Sequence, residues 1–220
     1  MKRKIPLVNG EVYHILNKSI AGYEIFNTQA DYLRMQHLFR YYQKETEKRF
    51  SDFVLLKGVG TGFDAYLAKY SAGNNDIVQI IAYCLMPTHF HLVLKQLEND
   101  GISKFIGNIL NSYTRYFNVK HKRKGPLWEA KFKNVLVGND EQLLHLTRYL
   151  HSNPTTALLA KKPEEWPYSS YKEYLGTSEE IALCNYKDIL EINPKSYRKF
   201  VNNRISYQRE LAKIKSLLLD

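Results

Sequence analysis

Apolar positions along the chain alternate between two spacings, and the changes of spacing outline its elements. Residues 11–17 (Glu-Val-Tyr-His-Ile-Leu-Asn) are rich in β-formers and end in the turn-like Ser19-Ile20-Ala21-Gly22, which predicts a first strand. Thr28 stands as an N-cap before Tyr32, Met35, Leu38, Phe39 and Tyr42 at helical spacing, predicting a helix over roughly 28–45. Residues 46–76 break the pattern with mixed charge, Gly58, Gly60 and Gly62, and a turn at Gly73-Asn74-Asn75-Asp76. They read as an insertion with room for a short helix around Asp64 to Tyr70. Ile77 to Leu85 is a strongly apolar strand, Met86-Pro87-Thr88 makes a tight connection, and His89-Phe90-His91-Leu92-Val93-Leu94 returns as its hairpin partner.

After Glu98-Asn99-Asp100-Gly101 the apolar residues Ile102, Phe105, Ile106, Ile109, Leu110, Tyr113 and Phe117 recur at three and four. They predict a second helix that runs into Lys120-His121-Lys122-Arg123-Lys124 and stops at Gly125-Pro126. Lys131 to Val137 reads as a fourth strand, and Gly138-Asn139-Asp140 caps a third helix ending near Asn153-Pro154. The first six elements follow the βαββαβ order of a ferredoxin-like α+β fold, with helices flanking an antiparallel sheet. A third helix and a basic helical tail are added to that unit. The expected division is a domain over 1–175, containing the 46–76 insertion, and an extension over 176–220. In the extension Asn193-Pro194 opens a helical pair that carries Lys195, Arg198, Lys199, Arg204, Arg209, Lys213 and Lys215 against the acid Glu210.

Composition narrows the partners. The 220 residues carry 32 Lys and Arg against 22 Asp and Glu, a formal charge of +10 that favours an anionic polymer over an acidic small molecule. Seventeen tyrosines (Tyr 17) add surfaces on which unpaired bases can stack. Cys84 and Cys184 lie far apart, so neither a disulfide framework nor a thiolate zinc site is indicated and a reducing cytoplasm is expected. The basic start is not followed by the apolar run of a secretory signal, and no stretch is long enough to span a bilayer.

The chemistry concentrates at His89 and His91. On an extended strand they project to one side while Phe90, Leu92 and Leu94 project to the other, forming a two-imidazole pincer over an apolar base. Two histidines hold a metal poorly alone, so a neighbouring helix must present another donor. The third helix offers Tyr149 and Asn153 on one face, a nucleophile beside an amide oxygen that would make a third ligand. His145 is an alternative third ligand, and Tyr113, Tyr116 and Tyr171 are alternative nucleophiles. With a divalent ion polarising a scissile phosphate, a tyrosine hydroxyl can attack phosphorus to give a covalent phosphotyrosine, an ester that can be transferred to a different hydroxyl.

Three pieces resemble one family. They are Tyr83-Cys84-Leu85-Met86-Pro87-Thr88-His89-Phe90-His91-Leu92, then Gly125-Pro126-Leu127-Trp128-Glu129 with Lys131-Phe132-Lys133, then Arg148-Tyr149-Leu150-His151-Ser152-Asn153-Pro154. In order and spacing they resemble the single-tyrosine transposases of the HUH endonuclease superfamily, in the branch of REP-associated and IS200-like tyrosine transposases. The resemblance runs from about Val12 to Tyr174. It implies that His89 and His91 are the metal-binding pair, Tyr149 the catalytic tyrosine and Asn153 the third ligand. It further implies Mg or Mn as cofactor, and single-stranded DNA, cut and rejoined at hairpin-flagged sites through a 5′-phosphotyrosine, as substrate. Thr88 stands where an Asn is more usual, and Ser152 where an apolar residue is common. Two imidazoles suit Mn better than Mg by softness.

Lys120, Lys122, Arg123, Lys124, Lys131, Lys133 and Arg148 are expected to track DNA phosphates, and Trp128 to stack a base near the cut or to close the sheet edge as a core residue. Location in the cytoplasm with the nucleoid follows, and action of Tyr149 in its own subunit or across a homodimer is left open. Two other classes compete. A non-catalytic nucleic-acid-binding module would use the same basic and aromatic faces without metal. A histidine-nucleophile phosphohydrolase is disfavoured because Val93 occupies the next position in register.

Overall fold

The computed structural model describes residues 6–57, 67, 73, 75–179 and 182–203. Four strands, β1 (Val12–Lys18), β2 (Val78–Met86), β3 (His89–Gln96) and β4 (Lys133–Leu136), form an antiparallel sheet in the order β2-β3-β1-β4. The helices are α1 (Gln29–Tyr42), α2 (Phe50–Lys57), α3 (Gly101–Lys120), α4 (Asp140–Thr156), α5 (Tyr171–Tyr174) and α6 (Pro194–Asn202). This is the expected ferredoxin-like arrangement with a further helix, α4, after the last strand.

β2 is buried along its whole length, which explains its unbroken apolar run, since both faces of the sheet are covered. On one face Tyr13, Ile15, Ile80, Phe90, Leu92 and Leu94 meet α1 and α3 through Met35, Phe39, Phe105 and Ile109. On the other, Ile81, Cys84 and Val93 meet α4 through Leu143 and Leu150. The outer edge of β2 is closed by the 168–170 segment, where the Leu85 amide donates to the Tyr168 carbonyl and the Ser170 amide to the Tyr83 carbonyl.

Thr28 begins α1 as expected. The buried Asp31 carboxylate accepts from the backbone amides of Asn27 and Thr28, the Tyr116 hydroxyl and Lys120 Nζ, tying the start of α1 to the end of α3. Three features depart from the sequence pattern. The 46–76 segment contains α2, whose Phe50 and Phe53 pack on Tyr41. Its neck is closed by the Lys44 Nζ–Asp76 Oδ1 ion pair at 3.0 Å. The short helix expected around Asp64 to Tyr70 lies outside the described residues apart from Leu67. Second, α4 does not end at Asn153-Pro154 but continues through Pro154 to Thr156, and the Ala157 amide still closes onto the Asn153 carbonyl. Third, Tyr186, Leu190, Tyr197 and Val201 are buried in the second core and Leu183 in the first, so the described part of 176–220 is integral to both. Arg204, Arg209, Lys213 and Lys215 lie outside the described residues.

Candidate active site

The site forms where β1 and β3 lie side by side beneath α4. Register places Lys18 opposite His89 and Leu16 opposite His91, so His14, two residues back along β1, lies diagonally across from His91. The His14 and His91 rings stack at 5.2 Å and 14°, and His14 Nε2 is 2.9 Å from His91 Nδ1. The His89 ring stands 5.1 Å from that of His91, and its Nδ1 is 3.0 Å from Thr88 Oγ1. Both members of the pincer thus have Nδ1 engaged, which leaves Nε2 of each as the atom able to ligate. For that, His91 must donate Nδ1–H to His14, and His89 must donate its own to Thr88.

Burial keeps these imidazoles neutral. It lowers His14 and His89 to about 4, the latter helped by the Lys18 charge. His91, 3 % exposed, falls to about 2 through burial together with the neighbouring His14, His89 and Lys18. Neutral rings carry the lone pairs that a metal needs.

α4 brings Tyr149 over this cluster. Its ring stands edge-on to His91 at 5.6 Å and to His14 at 6.5 Å, and the side chain remains 41 % exposed, open to an incoming strand. One turn on, the Asn153 amide nitrogen is buried without a hydrogen-bond partner among the described residues. That nitrogen can only donate hydrogen bonds, so the atom of this amide able to ligate a metal is its Oδ1. Among the described residues no three His, Cys, Asp or Glu side chains are grouped to hold a metal, so the donor set that fits is two imidazoles and an amide, completed from substrate or water.

The helix is held from its other side. Residues two before and two after Tyr149 point about 200° away from it. There His151 Nδ1 is 2.7 Å from the Tyr197 hydroxyl, and Nε2 is 2.8 Å from Ser170 Oγ. The Tyr197 hydroxyl donates to Thr147 Oγ1 at 2.9 Å. One directional chain fits these contacts: Ser170, whose hydroxyl also lies 3.3 Å from the Tyr83 carbonyl, donates over the shorter 2.8 Å contact to His151, His151 to Tyr197, Tyr197 to Thr147, and Thr147 to the Leu144 carbonyl. Complete burial lowers His151 to about 3, in keeping with the neutral ring this chain requires.

The alternatives are placed elsewhere. His145 faces Arg148 and Phe200. Tyr113 is buried with its hydroxyl donated to the Ile25 carbonyl, Tyr116 donates to Asp31, and Tyr171 is fully buried.

The expected DNA contacts divide. Lys122, Lys124, Lys131 and Lys133 are exposed. Arg123 bonds Asn118 and the Pro126 carbonyl, Lys120 is paired with Asp31, and Arg148 lies over the Phe200 ring. Trp128 is half-buried, packs against Phe90 and Tyr113 and donates Nε1–H to Thr114. Sequence reasoning missed His14, Thr88 and Lys18. The signal for His14 was its place as an inward-alternating polar residue on the strand that pairs with β3.

Comparison with known proteins fits this geometry. A family model of IS200-like transposases matches residues 54–153, a segment that includes His89, His91, Tyr149 and Asn153. A Haemophilus influenzae protein assigned by name to the REP-associated tyrosine transposases is 26% identical over an alignment covering 42% of this chain. The chain spans 58% of that relative's length. The solved structure of a REP-associated tyrosine transposase bound to a REP hairpin superposes with a TM-score of 0.55 at 14% identity, covering 88% of this chain and 99% of the other, a shared fold. Among the described residues no helix is long and apolar enough to cross a membrane.

Proposed function

From a chain whose residues 54–153 match the family model of IS200-like transposases, we propose a metal-dependent enzyme that cuts and rejoins single-stranded DNA, at hairpin-flagged sites, with Tyr149 as nucleophile. The observation that carries the reading is the exposed Tyr149 ring set edge-on, at 5.6 Å, over a buried, neutral His91.

His89 and His91 would hold Mg or Mn through Nε2, with the Asn153 amide oxygen as third ligand. When bound, the ion polarises the scissile phosphate and offsets charge developing on its oxygens. Tyr149 Oη attacks phosphorus: an Oη–P bond forms, the P–O3′ bond breaks, the phenolic proton passes to water and the released 3′ oxygen takes one up. The 5′-phosphotyrosine left on the protein keeps the ester for transfer to another 3′ hydroxyl. His14 fixes the tautomer and orientation of His91, while Lys122, Lys124, Lys131 and Lys133 offer exposed charge to the backbone. Because Tyr149 reaches His91 within one chain, the reading needs no second copy.

Incubation of the protein with Mn and a labelled single strand flanked by a hairpin tests this. A denaturation-resistant protein–DNA adduct is expected with wild type, absent in Tyr149→Phe and in His89→Ala/His91→Ala. Adduct formation by Tyr149→Phe sinks the nucleophile assignment. Unchanged DNA binding by the double histidine variant, with no adduct from wild type, returns the non-catalytic reading.

A further inference from the structure

Beyond the Tyr149 site the described residues hold a second concentration of positive charge, on the outer side of the helical layer. Between α1, α3 and the start of α2 lies a groove of about 470 Å³ lined by Arg34, Arg49, Arg115 and Lys120, with no acidic side chain among its described lining residues. Amide and hydroxyl groups of Asn108, Asn111 and Ser112 complete it. Asn108, Asn111, Ser112 and Arg115 recur at three and four along α3, forming a polar stripe that flanks the one buried through Phe105, Ile109 and Tyr113.

Arg34 sets this groove apart from an ordinary basic surface. Its guanidinium carbon lies 4.3 Å from the Phe50 ring centroid and 5.3 Å from that of Tyr116. Yet its Nε is buried without a hydrogen-bond partner, and no ion pair or hydrogen bond to the guanidinium occurs among the described residues. A guanidinium presents five donors in a rigid fork, and leaving a buried one unsatisfied is costly. Aromatic faces fix its plane but accept none of those donors, an arrangement suited to a planar pair of anionic oxygens from outside. Lys120 is partly neutralised by Asp31, so Arg34, Arg49 and Arg115 supply most of the field.

The groove cannot share the phosphate at Tyr149. Phe90 and Leu92 point toward the core under α1 and α3, whereas His91 points to the opposite face of the sheet. We propose that this groove is a second phosphate-binding site, taking the sugar–phosphate backbone of a nucleic-acid segment distinct from the one beside Tyr149. The stripe from Asn108 to Lys120 runs about 18 Å along α3 at 1.5 Å per residue, long enough to meet several successive phosphates. This assignment stands whether or not Tyr149 cleaves.

The test uses full-length protein and fluorescence anisotropy with a labelled hairpin carrying a long stem, over a range of salt. Arg49→Glu/Arg115→Glu, both exposed positions, should weaken hairpin binding at least tenfold and make the log–log salt slope shallower by about 2. Arg34→Met keeps the stem between the two rings and should weaken binding with a slope shallower by about 1. Lys187→Glu/Lys195→Glu applies the same charge change elsewhere and should weaken binding less than threefold, as a loss of overall steering. Adduct formation on a saturating short single strand should persist in all three, separating this groove from the Tyr149 reading. Unchanged affinity and slope in the groove variants, or an equal loss in the control pair, overturns the proposal. Inorganic phosphate is the remaining arm: if it raises the melting temperature of wild type but not of Arg34→Met while DNA affinity is the same in both, the groove takes small free anions and the nucleic-acid assignment fails.

Discussion

Tyr197→Phe removes one oxygen from the molecule and should be felt by the helix that carries Tyr149. That hydroxyl accepts from His151 at 2.7 Å and donates to Thr147 at 2.9 Å, and all three side chains are buried. The phenylalanine ring keeps the packing against His151 and Tyr174, so the loss is polar. His151 is left with a buried N–H that finds no acceptor, and Thr147 loses its donor. An unsatisfied buried group of this kind costs about 1–3 kcal/mol. For a domain of this size that lowers the melting temperature by roughly 2–12 °C. Differential scanning calorimetry of wild type and Tyr197→Phe reads it directly. Tyr171→Phe is the internal control, because the Tyr171 hydroxyl is buried without a partner among the described residues and its removal should leave the melting temperature equal or higher. If Tyr197→Phe melts with wild type, or if the Tyr171 variant loses as much, the directional chain through His151 does not support α4.

His14→Ala should weaken Mn binding by about 10- to 100-fold in titration calorimetry, because the partner that orients His91 is gone; unchanged affinity would show that His91 needs no such support. Acid should destabilise the metal-free protein before its carboxylates titrate. His151 lies at about 3 in the folded protein against an ordinary 6.5, so the unfolded chain takes up the proton first. Stability is therefore fully present above 6.5 and is lost as pH falls toward 3. The slope is about 1.4 kcal/mol per pH unit per histidine, and His14 and His89, both lowered to about 4, add to it. A urea midpoint that stays flat as the pH is lowered below 6.5 would contradict this. Truncation after Leu175 removes Tyr186, Leu190, Tyr197 and Val201 from the second core and Leu183 from the first, about 1.5–3 kcal/mol each. The sum rivals the whole stability of a typical domain, so the shortened chain should show no cooperative melt; a melt within a few degrees of wild type would make 176–220 the separable extension its composition suggests.

What could be read from the chain in advance was whatever repeats with a short period or sits at a cap. Two-residue alternation sent His89 and His91 to one face of β3 and Phe90, Leu92 and Leu94 to the other. Three- and four-residue spacing gave α3, and Thr28 and Asn139 marked where α1 and α4 begin. What depends on partners distant in sequence was not readable. His14 looks like an incidental polar residue until register sets it diagonally across from His91. Leu183, Tyr186 and Leu190 follow no helical or strand period because they enter the two cores, Leu183 the first and the others the second, from irregular backbone.

The tyrosine helix shows why spacing alone stops short of a site. α4 carries two pairs four residues apart, Tyr149 with Asn153 and Thr147 with His151, and helical geometry puts them on nearly opposite faces. Either pair reads as chemistry, since a histidine beside a hydroxyl is as plausible a catalytic element as a tyrosine beside an amide. The choice is made by what packs against each face. Tyr197, 46 residues beyond His151, takes up that imidazole and consumes its hydrogen-bonding capacity inside the core. The opposite face meets the histidines of β1 and β3, leaving Tyr149 exposed and the Asn153 amide nitrogen unpartnered among the described residues. A buried polar chain and a candidate catalytic face on one helix are therefore two consequences of one packing decision, because satisfying His151 and Thr147 inward fixes the rotation of α4 that turns Tyr149 toward His91.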